Sequence, residues 1–279
     1  MRRAKATFYR HTNRETGVSC SNCGRPICPD CMTPTSVGMR CPECAKQKTK
    51  VRTARTITGG EPRVTYAIIA ICAVLFLATG SFGTTSAGGN RLYGNLALQG
   101  TIGIHELHDY WRLITSGFLH SGFLHIFFNM YLLYLLGPQL ERIMGPTRFG
   151  ALYFTALLFG SFGALCQTST ALVVGASGAV FGLMGATAIE QRRRGYDPFS
   201  GGLGGLILIN LAIGFIPSFH VAWGGHVGGL IGGVLAALAF DQADRRRMPW
   251  LGYAACVVLA AVAVVGAIAV SGNVHDYTL

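Results

Sequence analysis

The chain has 279 residues, of which 51% are hydrophobic and 13% are charged, and its mean hydropathy is +0.42. Soluble domains carry about 25% charged residues, so this composition excludes an ordinary soluble enzyme and indicates an integral membrane protein. The formal net charge of +11 would favour nucleic acid binding only if the basic residues formed one soluble patch, and they are divided among loops instead. Residues 1–60 contain no apolar run, so no cleavable signal peptide is expected.

Residues 1–50 hold six of the nine cysteines, arranged as three C-x2-C pairs. Such pairs are typical of zinc ligands, and the cytoplasmic location derived below disfavours disulfides. A segment this small could hardly fold without a metal. We therefore predict a zinc-binding module over 1–50, with free thiols or an iron–sulfur site as alternatives. The six cysteines are Cys20, Cys23, Cys28, Cys31, Cys41 and Cys44.

A polar, basic linker over 51–63 is followed by seven apolar segments. They cover 64–82, 118–137, 147–166, 176–190, 203–219, 221–240 and 251–270. Several are close to the roughly 20 residues that a helix needs to cross a hydrocarbon core. The sequence therefore predicts an all-α polytopic membrane protein with seven transmembrane segments. Residues 241–279 are predicted to form a cytoplasmic loop, a seventh transmembrane helix and a short external tail.

The basic residues fall in alternate loops. Of the 23 Lys and Arg residues, 13 precede residue 64, and two arginine triplets follow the fourth and sixth segments at 192–194 and 245–247. A cytoplasmic N-terminus places 21 basic residues inside and only Arg91 and Arg112 outside, which agrees with the positive-inside rule. We predict a multi-pass protein of the cell membrane with an external C-terminus.

Polar residues cluster in the outer half of three inward-running segments. His125 and Asn129 are four residues apart and share one helix face, Ser177 begins the fourth segment, and His226 lies near the outer end of the sixth. Polar groups inside a bilayer are costly and usually functional, although Ser177 could be a packing residue and His226 an interhelical hydrogen-bonding residue. The small-residue pairs that would let the fourth and sixth helices touch are Gly178/Gly182 and Gly229/Gly233.

The cluster favours a serine–histidine dyad. No carboxylate lies in the outer half of any segment, and the chain lacks H-E-x-x-H, which excludes paired-carboxylate and zinc-metalloprotease chemistry. In a dyad, His226 takes the proton of Ser177 and the serine oxygen attacks a carbonyl carbon. Asn129, His125 and the N–H groups at the start of the fourth helix would stabilise the oxyanion. Phe181, one turn after Ser177, could stack on the His226 ring.

These residues resemble those of rhomboid family intramembrane serine proteases over roughly 64–240. The shared motifs are Trp111-Arg112, His120/His125/Asn129, Glu141-Arg142, Gly175 to Gly178, and His226/Gly229/Gly233. The resemblance implies a rhomboid six-helix core plus one C-terminal helix, with Ser177 as nucleophile and His226 as general base. It implies that His125, Asn129 and the Ser177 N–H line the oxyanion site, and that His120 is a structural polar residue. Phe181 stands where some members have Tyr.

The resemblance also implies membrane-protein substrates, whose spanning helix unwinds near the outer face, and no cofactor for catalysis. The N-terminal segment resembles the B-box-like double zinc fingers that precede some actinobacterial rhomboid domains. If ligand pairs alternate, Cys20, Cys23, Cys41 and Cys44 form one complete site. Cys28, Cys31 and His11 then form a second site that lacks one ligand, because Phe8 stands where a Cys is common. Three alternatives remain for the second site: a water molecule completes the coordination, the site binds metal weakly, or the site is absent.

Other functions remain as alternatives at this point. A catalytically inactive rhomboid-like protein could bind membrane clients, but the intact Ser177/His226 pair argues against it. A transporter would predict carboxylates at mid-membrane or inverted repeats, and the sequence shows neither. The zinc module could bind a cytoplasmic protein partner or position a substrate tail, and nucleic acid is not expected as a partner. Cys72, Cys166 and Cys256 are predicted to be packing residues.

Overall fold

The computed structural model describes residues 6–7, 10–11, 13–35, 38–46, 60–83, 89–200, 202–214 and 222–273. The chain divides into two compact units, Met1–Ala54 and Arg55–Leu279. Most of the predicted linker over 51–63 lies outside the described residues, as does Phe8.

The first unit consists of two short hairpins and one helical turn. Strand β1 (Ala6–Thr7) pairs antiparallel with β2 (Glu15–Thr16), and β3 (Thr33–Thr35) pairs antiparallel with β4 (Gly38–Arg40). Helix α1 (Pro42–Lys46) follows. The buried core consists of Ile27 and four cysteines. So small a core requires additional cross-links to be stable, and the cysteines are positioned to supply them.

The second unit is built from helices. They are α2 (Arg63–Thr79), α3 (Arg91–Leu96), a π-helical turn (Gly100–Glu106), α4 (Arg112–Thr115), a 3₁₀ turn (Ser116–Phe118), α5 (Phe123–Met144), α6 (Pro146–Gln167), α7 (Ser177–Arg193), α8 (Leu203–Gly214), α9 (Trp223–Arg245) and α10 (Trp250–Ser271). Within the described residues, α5, α6, α9 and α10 are long and apolar enough to cross a membrane, and α2 and Leu203–Ala212 are shorter apolar helices. The predicted all-α membrane fold is confirmed.

Helix α7 occupies the centre of this unit. It packs against α5, α6 and α9, and residues 178–186 are all buried. A helix surrounded by protein on every side needs neither a long apolar run nor an apolar stripe. This explains why the predicted segment 176–190 is short and rich in glycine and alanine.

Three local features differ from the sequence expectation. Helix α5 begins at Phe123 and continues through Pro138 to Met144, whereas 118–137 was expected, so His120 lies in the turn before the helix. A proline removes one helical N–H donor, yet the helix continues into the next turn, where Glu141 accepts hydrogen bonds from α2. The segment between the first two predicted apolar segments, for which no helix was predicted, contains α3, the π-helical turn and α4. Cys72 and Cys256 are buried as predicted, but Cys166 is exposed on α6.

Candidate active site

Ser177 begins α7 after a turn that only glycine fits. Gly175 has φ +132°, and its N–H donates to the Ser116 carbonyl at 3.0 Å. A Cβ at Gly175 would lie 2.7 Å from Nε2 of His125 and 3.6 Å from Oγ of Ser177. The serine side chain is partly exposed, and the first N–H groups of a helix have no partner within the helix. The turn therefore presents a hydroxyl, free N–H donors and an imidazole around one point.

Glycine contacts bring α9 against the start of α7. A Cβ at Gly229 would overlap the carbonyl oxygen of Gly178, and one at Gly233 would overlap that of Gly182. A Cβ at Gly178 would come within 3.2 Å of the Gly225 carbonyl oxygen. The predicted backbone-to-backbone contact of these two helices is confirmed. It brings together the chain neighbours of Ser177 and His226, since each of these residues adjoins a contacting glycine.

The His226 ring is held by stacking. Its centroid lies 4.3 Å from that of Phe181, and the two ring planes differ by 20°. His226 is 8% exposed, and its Nδ1 atom has no hydrogen-bond partner among the described residues. The aromatic contact on the ring face thus restricts the plane of the imidazole.

His125 is oriented by Ser121, a residue that the sequence did not point to. The Ser121 N–H lies 3.4 Å from His125 Nδ1, and the Ser121 hydroxyl lies 3.1 Å from the same atom. Because a backbone N–H can only donate, Nδ1 is the acceptor and a neutral ring carries its proton on Nε2. That Nε2–H is beside Gly175 and can donate to an oxyanion. The i, i+4 spacing of Ser121 and His125 was the available signal.

Asn129 and His120 extend the polar group. Asn129 is 6% exposed, and its Nδ2 donates to the His125 carbonyl at 3.1 Å, which leaves one amide hydrogen for a second acceptor. His120 is completely buried, with its ring 5.1 Å from that of His125 at an angle of 71°. Neither ring nitrogen of His120 has a partner within the described part of the chain, so a bound water is expected there.

The Trp111-Arg112 motif separates into an exposed and a buried residue. Trp111 is 54% exposed, whereas Arg112 is 7% exposed. The Arg112 guanidinium donates to the carbonyls of Gly94 and Ala97 at 2.6 and 2.9 Å and forms an ion pair with Asp109 at 2.9 Å. This arginine therefore fixes the outer loop and lies in a structural network.

The first unit brings its candidate ligands into two groups. One group is Cys20, Cys23, Cys41 and Cys44, and the other is His11, Cys28 and Cys31; within each group the ligand atoms lie within 4.8 Å of one another. Sulfur ligands of a tetrahedral zinc ion are about 3.8 Å apart, and the sulfurs of Cys23 and Cys41 are 3.8 Å apart. The donor set and spacing fit zinc, and the C-x2-C pairs alternate between the groups.

Hydrogen bonds to sulfur support the four-cysteine group. The Cys41 N–H donates to the Cys20 sulfur at 3.3 Å and holds the pKa of that thiol at about 6. Asn22 donates to Cys44 at 3.3 Å. In the second group, Nδ1 of His11 lies 3.4 Å from the Cys28 sulfur. The four-cysteine group therefore offers four sulfur ligands, whereas the second group offers three ligands from the described residues.

Comparisons with known proteins agree with this geometry. A family profile, the rhomboid domain, matches residues 107–243. Rhomboid protease GluP of Bacillus subtilis (strain 168) is 34% identical over 203 residues, which are 70% of this chain and 38% of that protein. RHOMBOID-like protein 5 of Arabidopsis thaliana is 42% identical over 136 residues, 46% of this chain and 43% of that protein.

A third relative is matched over almost its entire length. Putative rhomboid protease YdcA of Bacillus subtilis (strain 168) is 33% identical over 190 residues, which are 67% of this chain and 92% of that protein. The chain spans less than half the length of GluP and of RHOMBOID-like protein 5. The matched family profile, the near-complete alignment with YdcA and the helical membrane fold together show that the chain belongs to the rhomboid family.

Proposed function

We propose that the protein is an intramembrane serine endopeptidase that uses Ser177 and His226 as a catalytic dyad. The observation that carries this proposal is the contact of α7 with α9, which sets Ser177 beside the helix that carries His226. Family membership supports the reaction class. The stacking of His226 on Phe181 at 4.3 Å supplies the orientation that a third residue gives in a triad.

The reaction follows from the positions of the donors. His226 accepts the Ser177 hydroxyl proton while Oγ attacks the peptide carbonyl carbon, and the carbonyl oxygen becomes an oxyanion. The His125 Nε2–H, the free amide hydrogen of Asn129 and the Ser177 N–H surround that oxygen. His226 then returns the proton to the leaving amine, and a water hydrolyses the acyl-serine. His120 supports the His125 ring.

Substitution of the dyad tests this mechanism. Purified protein in liposomes is incubated with a single-span membrane substrate, and fluorophosphonate labelling is measured in parallel. Wild type and Ser200→Ala, a loop serine, are expected to cleave and to be labelled. Ser177→Ala and His226→Ala are expected to do neither. An intact substrate with wild type would instead indicate an inactive, client-binding protein, and equal cleavage by all variants would exclude the dyad.

The proposed substrates are transmembrane helices that unwind near the outer face at small residues. This specificity rests on the family resemblance and on the partial exposure of Ser177 at the outer end of α7. Replacing the small residues of a cleaved substrate by Phe is expected to reduce cleavage, while the same change one helical turn deeper is expected to have little effect. Unchanged cleavage of the first variant would exclude this substrate class.

We also propose that the active site faces outward in the cell membrane. The C-terminal ends of α5, α7 and α9 carry Arg142, Arg192 with Arg193, and Arg245, and they lie opposite the ends that begin near His125, Ser177 and His226. External protease added to intact cells is expected to remove a C-terminal tag and to spare an N-terminal tag. Loss of the N-terminal tag and protection of the C-terminal tag would show that the protein has the opposite orientation in the membrane.

For the first unit we propose a structural zinc ion at the four-cysteine group and a weaker second ion at His11, Cys28 and Cys31. When bound, zinc supplies the cross-links that so small a core lacks. The purified chain is expected to contain one tightly held zinc ion, with any second ion removed first by a chelator. A cytoplasmic protein or the tail of a substrate is the proposed partner of this unit.

A further inference from the structure

The C-terminal helix α10 meets the outer loop at its last turn. A Cβ at Gly272 would lie 2.8 Å from the His105 ring, which belongs to the π-helical turn. The Ser169 hydroxyl, which is completely buried, donates to the Asn273 carbonyl at 2.7 Å. The end of α10 is therefore packed against the outer loop and hydrogen-bonded to the segment that follows α6.

A buried apolar cluster makes the same connection. It includes side chains from the outer loop, α6 and α10. Its fully buried members are Leu98, Ile104, Leu113, Leu165 and Ala267. Since these residues share one packed core, a displacement of α10 is transmitted to the loop.

Backbone hydrogen bonds connect Leu98, a member of this cluster, to the segment that precedes Ser177; the turn at Gly175 and Ser177 is called the catalytic turn below. Leu98 and Val173 exchange two hydrogen bonds, with N–H to carbonyl distances of 3.0 and 2.8 Å. The N–H groups of Gly100 and Thr101 both donate to the Ser169 carbonyl, at 2.9 and 3.0 Å. Val173 precedes Ser177 by four residues, so the bridge fixes the segment that leads into the turn.

We propose that α10 is a positioning element for Ser177, acting through the Ala267 cluster and the Leu98–Val173 bridge. The inference rests on the proposed function and adds a role for the helix beyond the six-helix core. Helix α10 touches no reacting atom. It holds the outer loop against the catalytic turn, so that the serine and its N–H groups keep the geometry needed for attack.

Two matched substitutions test the proposal. Ala267→Leu overpacks the cluster, and Ala263→Leu overpacks an equally buried site one turn earlier that lies outside the cluster. Both are expected to lower the thermal unfolding temperature similarly. Only Ala267→Leu is expected to slow fluorophosphonate labelling, by about tenfold, and to lower kcat with KM unchanged, because small displacements at the reacting centre are costly.

Amide hydrogen exchange provides a readout that does not depend on catalysis. The N–H groups of Val173 and Gly175 are expected to exchange faster in Ala267→Leu than in wild type or Ala263→Leu. Equal exchange and equal labelling in the two variants would overturn the inference. If fluorophosphonate labels wild type and Ser177→Ala equally, the proposed serine protease function is wrong. The amide exchange data would still show whether α10 fixes the position of the segment before Ser177.

A second variant covers the case in which Ala267→Leu does not fold. Ser169→Ala removes the bond to Asn273 without adding volume, and faster exchange at Val173 with slower labelling is the expected result. Ser200→Ala, whose hydroxyl donates to the nearby Asp197 carbonyl at 2.9 Å, serves as its control. Wild-type exchange and labelling in Ser169→Ala would contradict the proposal.

Discussion

At the scale of single residues, the His226 imidazole is contacted by an aromatic ring and by no described carboxylate. His226 has Phe181 stacked 4.3 Å from its centroid, and no described carboxylate is bonded to it. A stacked ring restricts rotation of the imidazole without adding charge. In a low-dielectric site, that arrangement avoids burying a second charged group.

The ring of Phe181 is therefore expected to matter more than any polar group at that position. Phe181→Leu is expected to lower kcat by roughly ten- to a hundredfold, since the base is no longer held in line with Ser177. Phe181→Tyr keeps the ring and is expected to stay within a few-fold of wild type. Cleavage of a single-span substrate measures both, and a fully active Phe181→Leu enzyme would show that stacking is dispensable.

Ser121 is predicted to act on catalysis through His125. Ser121→Ala removes the hydroxyl that lies 3.1 Å from Nδ1 and loosens the orientation of the Nε2–H donor. Loss of one oxyanion donor typically costs about 2.7–4 kcal/mol, so a partial loss is expected to reduce kcat about tenfold with KM unchanged. Ser121→Thr keeps the hydroxyl and is the control. A change confined to KM would assign Ser121 to substrate binding instead.

At the scale of helices, Glu141 of α5 caps the start of α2. Its buried carboxylate accepts the N–H groups of Val64 and Thr65 at 2.9 and 2.8 Å and the Thr65 hydroxyl at 2.7 Å. Glu141→Ala leaves these donors unpaired and is expected to cost about 2–4 kcal/mol of stability. Thermal unfolding of the purified protein measures this loss. Gln139→Ala, on an exposed position of the same helix, is expected to be nearly neutral.

The contact of α7 with α9 depends on the absence of side chains. Gly229→Ala adds a Cβ that overlaps the Gly178 carbonyl, so the helices must separate and both stability and cleavage are expected to fall. Gly205→Ala in α8 meets no atom within 4 Å and is expected to be neutral or slightly stabilising. Comparing the unfolding temperature and the activity of the two variants separates the effect of helix–helix packing from the effect of replacing glycine by alanine on helix propensity. Equal behaviour would contradict the close contact.

The sequence predicts the helices better than the contacts between distant parts of the chain. Apolar runs locate most of the helices to within about five residues, with the C-terminal end of α5 the exception, and the glycine spacing of α7 and α9 predicts their contact because both patterns are local. The Leu98–Val173 bridge and the capping of α2 by Glu141 join positions more than 70 residues apart. No periodicity encodes such pairs, so only the folded chain reveals them.

At the scale of the whole molecule, the chain is divided into two units, each with its own buried core. The buried core of the first consists of Ile27 and four cysteines, and the described buried clusters of the second are formed by residues after position 55. All proposed catalytic residues belong to the second unit. Metal binding and catalysis are therefore expected to respond to different substitutions.

Cys41→Ser in the full chain tests this separation. Cys41 lies 3.8 Å from the Cys23 sulfur and accepts the Cys44 N–H at 3.4 Å, so its loss is expected to remove about one zinc ion and to make residues 1–54 sensitive to protease. Labelling of Ser177 is expected to be unchanged, because the clusters that position it contain none of these residues. Cys166→Ser, an exposed cysteine of α6, is expected to change neither quantity. If labelling falls in step with zinc content, the two units are energetically coupled and the first one regulates the protease.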